Sequence, residues 1–138
     1  MKKLSMLLVA AFLLAGCSNG VAEQTTQPTQ TTETTREAYM NITQEEAKKL
    51  MDSEQDYIIL DVRTQTEFDE KHIPGAILIP HDEIEERAEK ELTDKGQLIL
   101  VYCRSGNRSK TASEALEKLG YTYIREFGGI NDWPYETE

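Results

Sequence analysis

The run Gln97-Leu98-Ile99-Leu100-Val101-Tyr102 is the strongest strand signal in the chain, and one short loop separates it from a helix-patterned segment. A near-continuous apolar run rich in β-branched residues belongs to a strand covered on both faces. The segment after the loop, from about Arg108 to Leu119, carries Ala112, Ala115, Leu116 and Leu119 at i, i+3, i+4 and i+7. That spacing gives a helix one apolar stripe, which has to be laid on a sheet. Similar alternation runs through residues 39–138. Thr43-Gln44-Glu45-Glu46 is a capping box opening a helix to about Asp52, and Tyr57 to Val62 reads as a buried strand. Thr64-Gln65-Thr66-Glu67 is a second capping box, opening a helical turn near Phe68. Pro74-Gly75 marks a turn, Ala76 to Ile79 a short buried strand, and residues 82–92 a charged helix with Ile84, Ala88 and Leu92 on one face. Gly120 suits the position just past the last long helix, and Tyr121 to Phe127 reads as the final strand, followed by Gly128-Gly129 and a helical turn around Trp133. The pattern predicts an α/β fold with a largely parallel sheet.

Residues 1–38 obey different rules. Lys2 and Lys3 precede an apolar run from Leu4 to Ala15, the pattern of a secretory signal. Twelve residues make a helix of roughly 18 Å, against about 30 Å of bilayer hydrocarbon, so a permanent span is disfavoured. The segment ends Leu14-Ala15-Gly16-Cys17, which resembles the bacterial lipoprotein box. The resemblance implies cleavage after residue 16 and a diacylglycerol on the Cys17 thiol. The expectation is an exported protein, anchored by lipid to the extracytoplasmic face of a bacterial membrane. Residues 18–38 contain seven Thr and three Gln with little apolar content, so residues 17–38 are expected to act as a disordered tether between anchor and domain.

The chain carries 25 Asp and Glu against 15 Lys and Arg, a net charge of −10. Loss of residues 1–16 removes two lysines and no acid, leaving −12. Such a balance excludes nucleic acid as the expected partner, because phosphate contacts need a basic surface. His72 and His81 are nine residues apart, which is not a metal-ligand spacing, and two cysteines cannot supply a four-cysteine zinc site. No metal or cofactor is expected. With Cys17 assigned to lipid, Cys103 is left as a lone thiol.

Cys103 lies where the strongest strand ends, in the loop Cys103-Arg104-Ser105-Gly106-Asn107-Arg108-Ser109. Open α/β sheets place ligand sites outside the carboxyl ends of their strands. The thiol would face the N-terminus of the next helix, whose free N–H groups favour an anion. Arg104 and Arg108 add positive charge, and Gly106 lets successive amides curl inward. All of these favour a thiolate, the nucleophilic form of sulfur. Together with Lys110, the two arginines form a basic patch on an acidic chain, which suits an anionic substrate.

Taken in order, Asp61-Val62-Arg63, Glu67-Phe68, His72-Ile73-Pro74-Gly75-Ala76, the Cys103 to Ser109 loop, and Gly128-Gly129 with Trp133 resemble the single-domain rhodanese-like sulfurtransferases. The resemblance covers nearly all of residues 39–138. It implies a rhodanese-like α/β fold with a central, mainly parallel five-stranded sheet flanked by helices. It places the catalytic cysteine on Cys103 and the substrate-binding loop on Arg104, Ser105, Gly106, Asn107 and Arg108. It further implies that Cys103 takes sulfane sulfur from a small anionic donor, thiosulfate or a persulfide, and passes it to cyanide or a thiol. The chain departs from thiosulfate-specific members that carry a basic residue where Ser105 stands. Asp61, Arg63, His72 and Trp133 are expected to hold the scaffold rather than to react.

Other readings stay open on the sequence. A persulfide carrier or sulfide sensor would hand its sulfur to a partner protein without turnover on small acceptors. Phosphatase loops resemble C-x5-R, whereas Cys103 to Arg108 is C-x4-R, a tighter cradle. A thiol–disulfide oxidoreductase lacks a second cysteine to resolve a mixed disulfide.

Overall fold

The computed structural model describes residues 37–138. The signal segment 1–16, Cys17 and all but the last two residues of the 17–38 tether lie outside the described residues. Among the described residues, no helix is long and apolar enough to cross a membrane.

Five strands form one sheet: β1 (Tyr39–Asn41), β2 (Tyr57–Asp61), β3 (Ile77–Leu78), β4 (Leu98–Cys103) and β5 (Ile124–Gly129), in the order β1-β5-β4-β2-β3. All four neighbouring pairs are parallel. The helices are α1 (Gln44–Ser53), α2 (Gln65–Glu70), α3 (Ile84–Glu91) and α4 (Asn107–Lys118), and a single 3-10 turn spans Ile130–Asp132. The rhodanese-like α/β fold expected from the sequence is present. Central strand β4 is buried along its whole length, as its uninterrupted apolar run requires.

Two cores lie on the two faces of the sheet. Ile84, Ala88 and Leu92 join Ala112 and Leu116 of α4 against Leu60, Ile99, Val101 and Ile124. On the other face Ala47 of α1 packs with Ile59, Leu100, Tyr102, Phe127 and Trp133. Each large side chain in these layers contributes roughly 1.5–3 kcal/mol relative to exposure.

Both predicted capping boxes form. Thr43 caps α1 with Glu46, and Thr64 caps α2 with Glu67. In each, the hydroxyl accepts the third helical N–H while the glutamate accepts from the cap amide. Glu67 has a further role, because its two carboxylate oxygens accept from Arg108 Nη1 and Nη2 at 2.7 and 2.8 Å. This bidentate pair clips α2 to the start of α4.

The structure corrects three sequence expectations. Strand β1 has no counterpart in the sequence pattern: it is three residues long, mostly exposed, and carries no readable periodicity. The apolar stretch 76–79 predicts a buried strand, yet β3 is two residues at the sheet edge with Ile77 exposed, and full burial comes only at Ile79. The last strand starts at Ile124 rather than Tyr121 and runs through both glycines. After Gly120, which adopts φ +93°, Tyr121 is buried and donates its hydroxyl to Leu92 O at 2.7 Å.

A bulge in β5 shapes the end of the sheet nearest the cysteine loop. Val101 pairs with Glu126, but Cys103 pairs with Gly129, so β5 accommodates one extra residue. Gly128 supplies the left-handed backbone there, at φ +88°. Gly129 then runs so close beneath the loop that a Cβ would sit 2.1 Å from the carbonyl oxygen of Arg104.

Two outcomes are expected. Gly129→Ala should destabilise the protein by about 1–3 kcal/mol, the usual range for overpacking, and displace the Arg104–Ser105 backbone; an unchanged melting temperature with unchanged Cys103 alkylation would contradict this. The Arg108 guanidinium holds the Glu67 carboxyl down from 4.5 to about 2. A carboxylate depressed on folding stabilises above its unfolded value and loses that contribution as pH falls through its folded value. Glu67→Gln should therefore cost about 1 kcal/mol at pH 7, and the gap to wild type should close as pH drops from 4.5 towards 2. Urea denaturation at several pH values measures it.

Candidate active site

Cys103 is the last residue of β4 and is 1% exposed. The chain beyond it curls through Arg104 and Ser105, both exposed, to Gly106, which caps α4 at φ +104°. Gly106 is required by that left-handed conformation rather than by space, since a Cβ there would meet the Gly128 Cα at an ordinary contact distance of 3.5 Å. The curl aims the Gly106 amide at the sulfur: its N–H donates to Sγ at 3.0 Å. The Cys103 thiol in turn donates to Ser109 Oγ at 3.4 Å.

These contacts decide the state of the thiol. Burial pushes its pKa up, but the Ser109 hydroxyl and the amides of Ser109, Gly106 and Ser105 pull it down further, and the net shift is downward. The net shift runs in the direction expected from the sequence, and the groups that lower it are hydrogen-bond donors at the sulfur rather than the two arginines. Arg108 spends its fork on Glu67, which raises its own pKa, and stands beside the site as half of an ion pair rather than as a free cation.

Arg104 lines a cleft of about 260 Å³ together with Arg63, Lys71, Glu67 and Glu70. Asn131 N–H donates to the Arg104 carbonyl at 3.3 Å, which ties the loop to the turn after β5. Asn107 is exposed at the first position of α4. The structure therefore gathers Cys103, Ser105 and Gly106 around one sulfur, puts Arg104 on the adjoining cleft, and turns Arg108 to α2. Cys17 lies outside the described residues.

The residues expected to be scaffold are placed as scaffold. Asp61 and Arg63 form a buried ion pair at 2.6 Å, and Arg63 also donates to Lys71 O at 2.6 Å. His72 stacks on Phe68 with ring centroids 3.9 Å apart and bonds its Nδ1 to Phe68 O at 2.9 Å. Trp133 packs on Phe127 and lines a separate cavity of about 610 Å³ that the cysteine loop does not reach. Among the described residues, no group of three or more His, Cys, Asp or Glu is arranged to hold a metal.

Two residues at the site carry no role in the sequence pattern. Ser109 closes the loop motif, yet it is fully buried and touches the sulfur. Glu126 of β5 is also fully buried, and accepts from Ser109 Oγ at 2.6 Å. Its signal is a lone acid inside a run otherwise bound for the core.

Comparison with known proteins bears on the fold and the family. Residues 43–135 match the family described as "Rhodanese-like domain". The chain is 38% identical over 73 residues to "Thiosulfate sulfurtransferase PspE" of Escherichia coli, covering 53% of this chain and 70% of that one. It is 36% identical over 92 residues to "Adenylyltransferase and sulfurtransferase UBA4" of Yarrowia lipolytica, covering 67% of this chain but 23% of that longer protein. A solved structure described as "rhodanese with anions from E. coli" superposes with a TM-score of 0.56 at 34% identity, covering 59% of this chain and 96% of the other. With its five-stranded parallel sheet and its cysteine loop between β4 and α4, the chain belongs to the rhodanese-like domain family.

Proposed function

We propose that the protein is a sulfurtransferase that carries sulfane sulfur on Cys103. The observation that carries this reading is the buried Sγ beneath an inward-curled loop, 3.0 Å from the Gly106 nitrogen and with its thiol pKa lowered. A sulfur so placed attacks the outer sulfur of a donor such as thiosulfate. The new S–S bond forms as the donor's S–S bond breaks, and sulfite leaves with the bonding pair. Amides of the same inward-curled loop would stabilise the persulfide anion, whose charge lies on the outer sulfur, by a preorganised electrostatic effect. A thiol or cyanide then takes the outer sulfur and regenerates the thiolate.

The loop residues divide the work. Gly106 and Ser105 present amides to the sulfur, and Arg104, with Lys71, gives the cleft its cationic side, Arg63 being paired with Asp61. Asn107 is exposed at the helix start and available to the donor. Arg108 contributes its field while paired to Glu67, so it orients the loop and does not clamp the donor. Glu67 and Glu70 on the same cleft make it less cationic than a dedicated dianion site. A carrier that holds the sulfur for a partner protein is a second reading, and it would use the same buried sulfur.

We also propose that residues 1–16 are an export signal, that Cys17 is lipidated, and that residues 17–38 tether the domain of residues 39–138 to the outer face of a bacterial membrane. Leu14-Ala15-Gly16-Cys17 at the end of the apolar run supports this.

The purified protein should convert thiosulfate and cyanide to thiocyanate and sulfite, and Cys103→Ser should abolish the conversion. Mass spectrometry after donor treatment should show a gain of one sulfur atom, removed by cyanide or dithiothreitol. A chain that never gains this mass would end both the transferase and the carrier readings, whereas mass gain without turnover would select the carrier. For the anchor, Cys17→Ala should move the protein from the membrane fraction to the soluble fraction of the expressing bacterium. Unaltered partition would refute the lipid anchor.

A further inference from the structure

The cleft adjoining the cysteine loop carries charges of two kinds, paired and unpaired. Arg63 is tied to Asp61 at 2.6 Å and donates to Lys71 O, while Glu67 takes both Nη atoms of Arg108. Each pair is neutral as a unit, with its hydrogen-bonding groups turned to its partner. Three charged side chains on the lining have no ion-pair partner among the described residues: Glu70, Lys71 and Arg104. All three are exposed. The free charge that meets a donor is therefore two cations against one carboxylate. Ser105 and Asn107, the other exposed residues between Cys103 and Arg108, add none.

Donors differ in the charge they bring. Thiosulfate is a dianion, so its approach to the Cys103 thiolate gathers three negative charges on the reacting groups. An organic hydropersulfide, R–S–S–H, is neutral, and with it the reacting groups carry only the charge of the thiolate. One excess cation matches the second case and falls short in the first. Repulsion among charges gathered in a cleft of about 260 Å³ is stronger than in open water, because the effective dielectric is lower.

Building on the reading of Cys103 as the sulfur carrier, we propose that Glu70 is a specificity-determining residue that turns the cleft against doubly charged donors and selects a hydropersulfide. The Cys103 thiolate bonds to the outer sulfur of R–S–S–H as the donor's S–S bond breaks, and R–S⁻ leaves with the bonding pair. Cys103 then bears S–S–H, whose proton passes to solvent. The sulfane sulfur moves between two thiolates with no outside oxidant or reductant.

The place of Glu70 suits this role. It is the last residue of α2, and the chain next to it is fixed by the Arg63 bond to Lys71 O at 2.6 Å. Without its carboxylate, the lining would hold two free cations, enough for a dianion. The paired Glu67 cannot act in the same way, because its charge is met by Arg108.

Rates of Cys103 loading in the purified protein, followed by mass spectrometry, test the proposal with two probes, thiosulfate and 2-hydroxyethyl hydropersulfide. Glu70→Gln should raise the ratio of thiosulfate loading to hydropersulfide loading about threefold, and Glu70→Lys about tenfold, for a charge acting on a dianion from roughly 10 Å. In about 1 M salt the wild type and both variants should give one ratio, because a field is screened whereas a change of shape is not. An unchanged ratio, a ratio that falls, or a shift that persists at high salt overturns Glu70 as the selector and leaves Cys103 as the carrier. A wild-type protein that gains sulfur from neither probe overturns the reading of Cys103 itself.

Discussion

The parallel pairing of β4 with β5, and the extra residue that β5 carries within it, is the constraint on which the site depends. Were the two strands in unbroken register, the residue opposite Cys103 would be Gly128. The bulge advances β5 by one, so that Gly129, in extended conformation, slides under the Arg104 carbonyl. Three glycines meet at this seam, and they do two different jobs. Gly128 and Gly106 provide left-handed backbone, whereas Gly129 provides space. With the floor so fixed, the loop has one way to close on α4, and that way points an amide at the sulfur.

The same seam surrounds the sulfur of a strongly acidic chain with neutral donors. The groups that touch it are backbone amides and a serine hydroxyl, which have fixed dipoles. These cost no desolvation of a free cation and do not depend on net charge. The arginines nearest in sequence are used in other ways: Arg63 joins Asp61 to the chain at Lys71, and Arg108 joins α4 to α2. Cationic side chains here mostly hold pieces of the fold in place.

Much of this is legible in the sequence because the signals are local. A capping box announces itself in four residues, and both Thr43-Glu46 and Thr64-Glu67 form. Six consecutive buried residues mark β4 unambiguously. What is not legible arises from long-range pairing. β1 exists because Tyr39 to Asn41 find Ile124 to Glu126 across the sheet, and nothing in three residues says so. The partner of Arg108 is Glu67, 41 residues earlier, on a helix whose cap already accounts for that glutamate. Ser109 and Glu126 are 17 residues apart and meet only once α4 is laid over β5.

The sheet's edges carry a consequence for how the protein meets others. Its outer strands, β1 and β3, are three and two residues long. Edges that short leave too few unpaired backbone groups for another chain to add a strand. A protein that receives cargo from this domain would therefore have to recognise it through side chains around the loop and the helix faces. Such contacts are made and broken more readily than a shared sheet, which would suit the transfer to a partner protein proposed above.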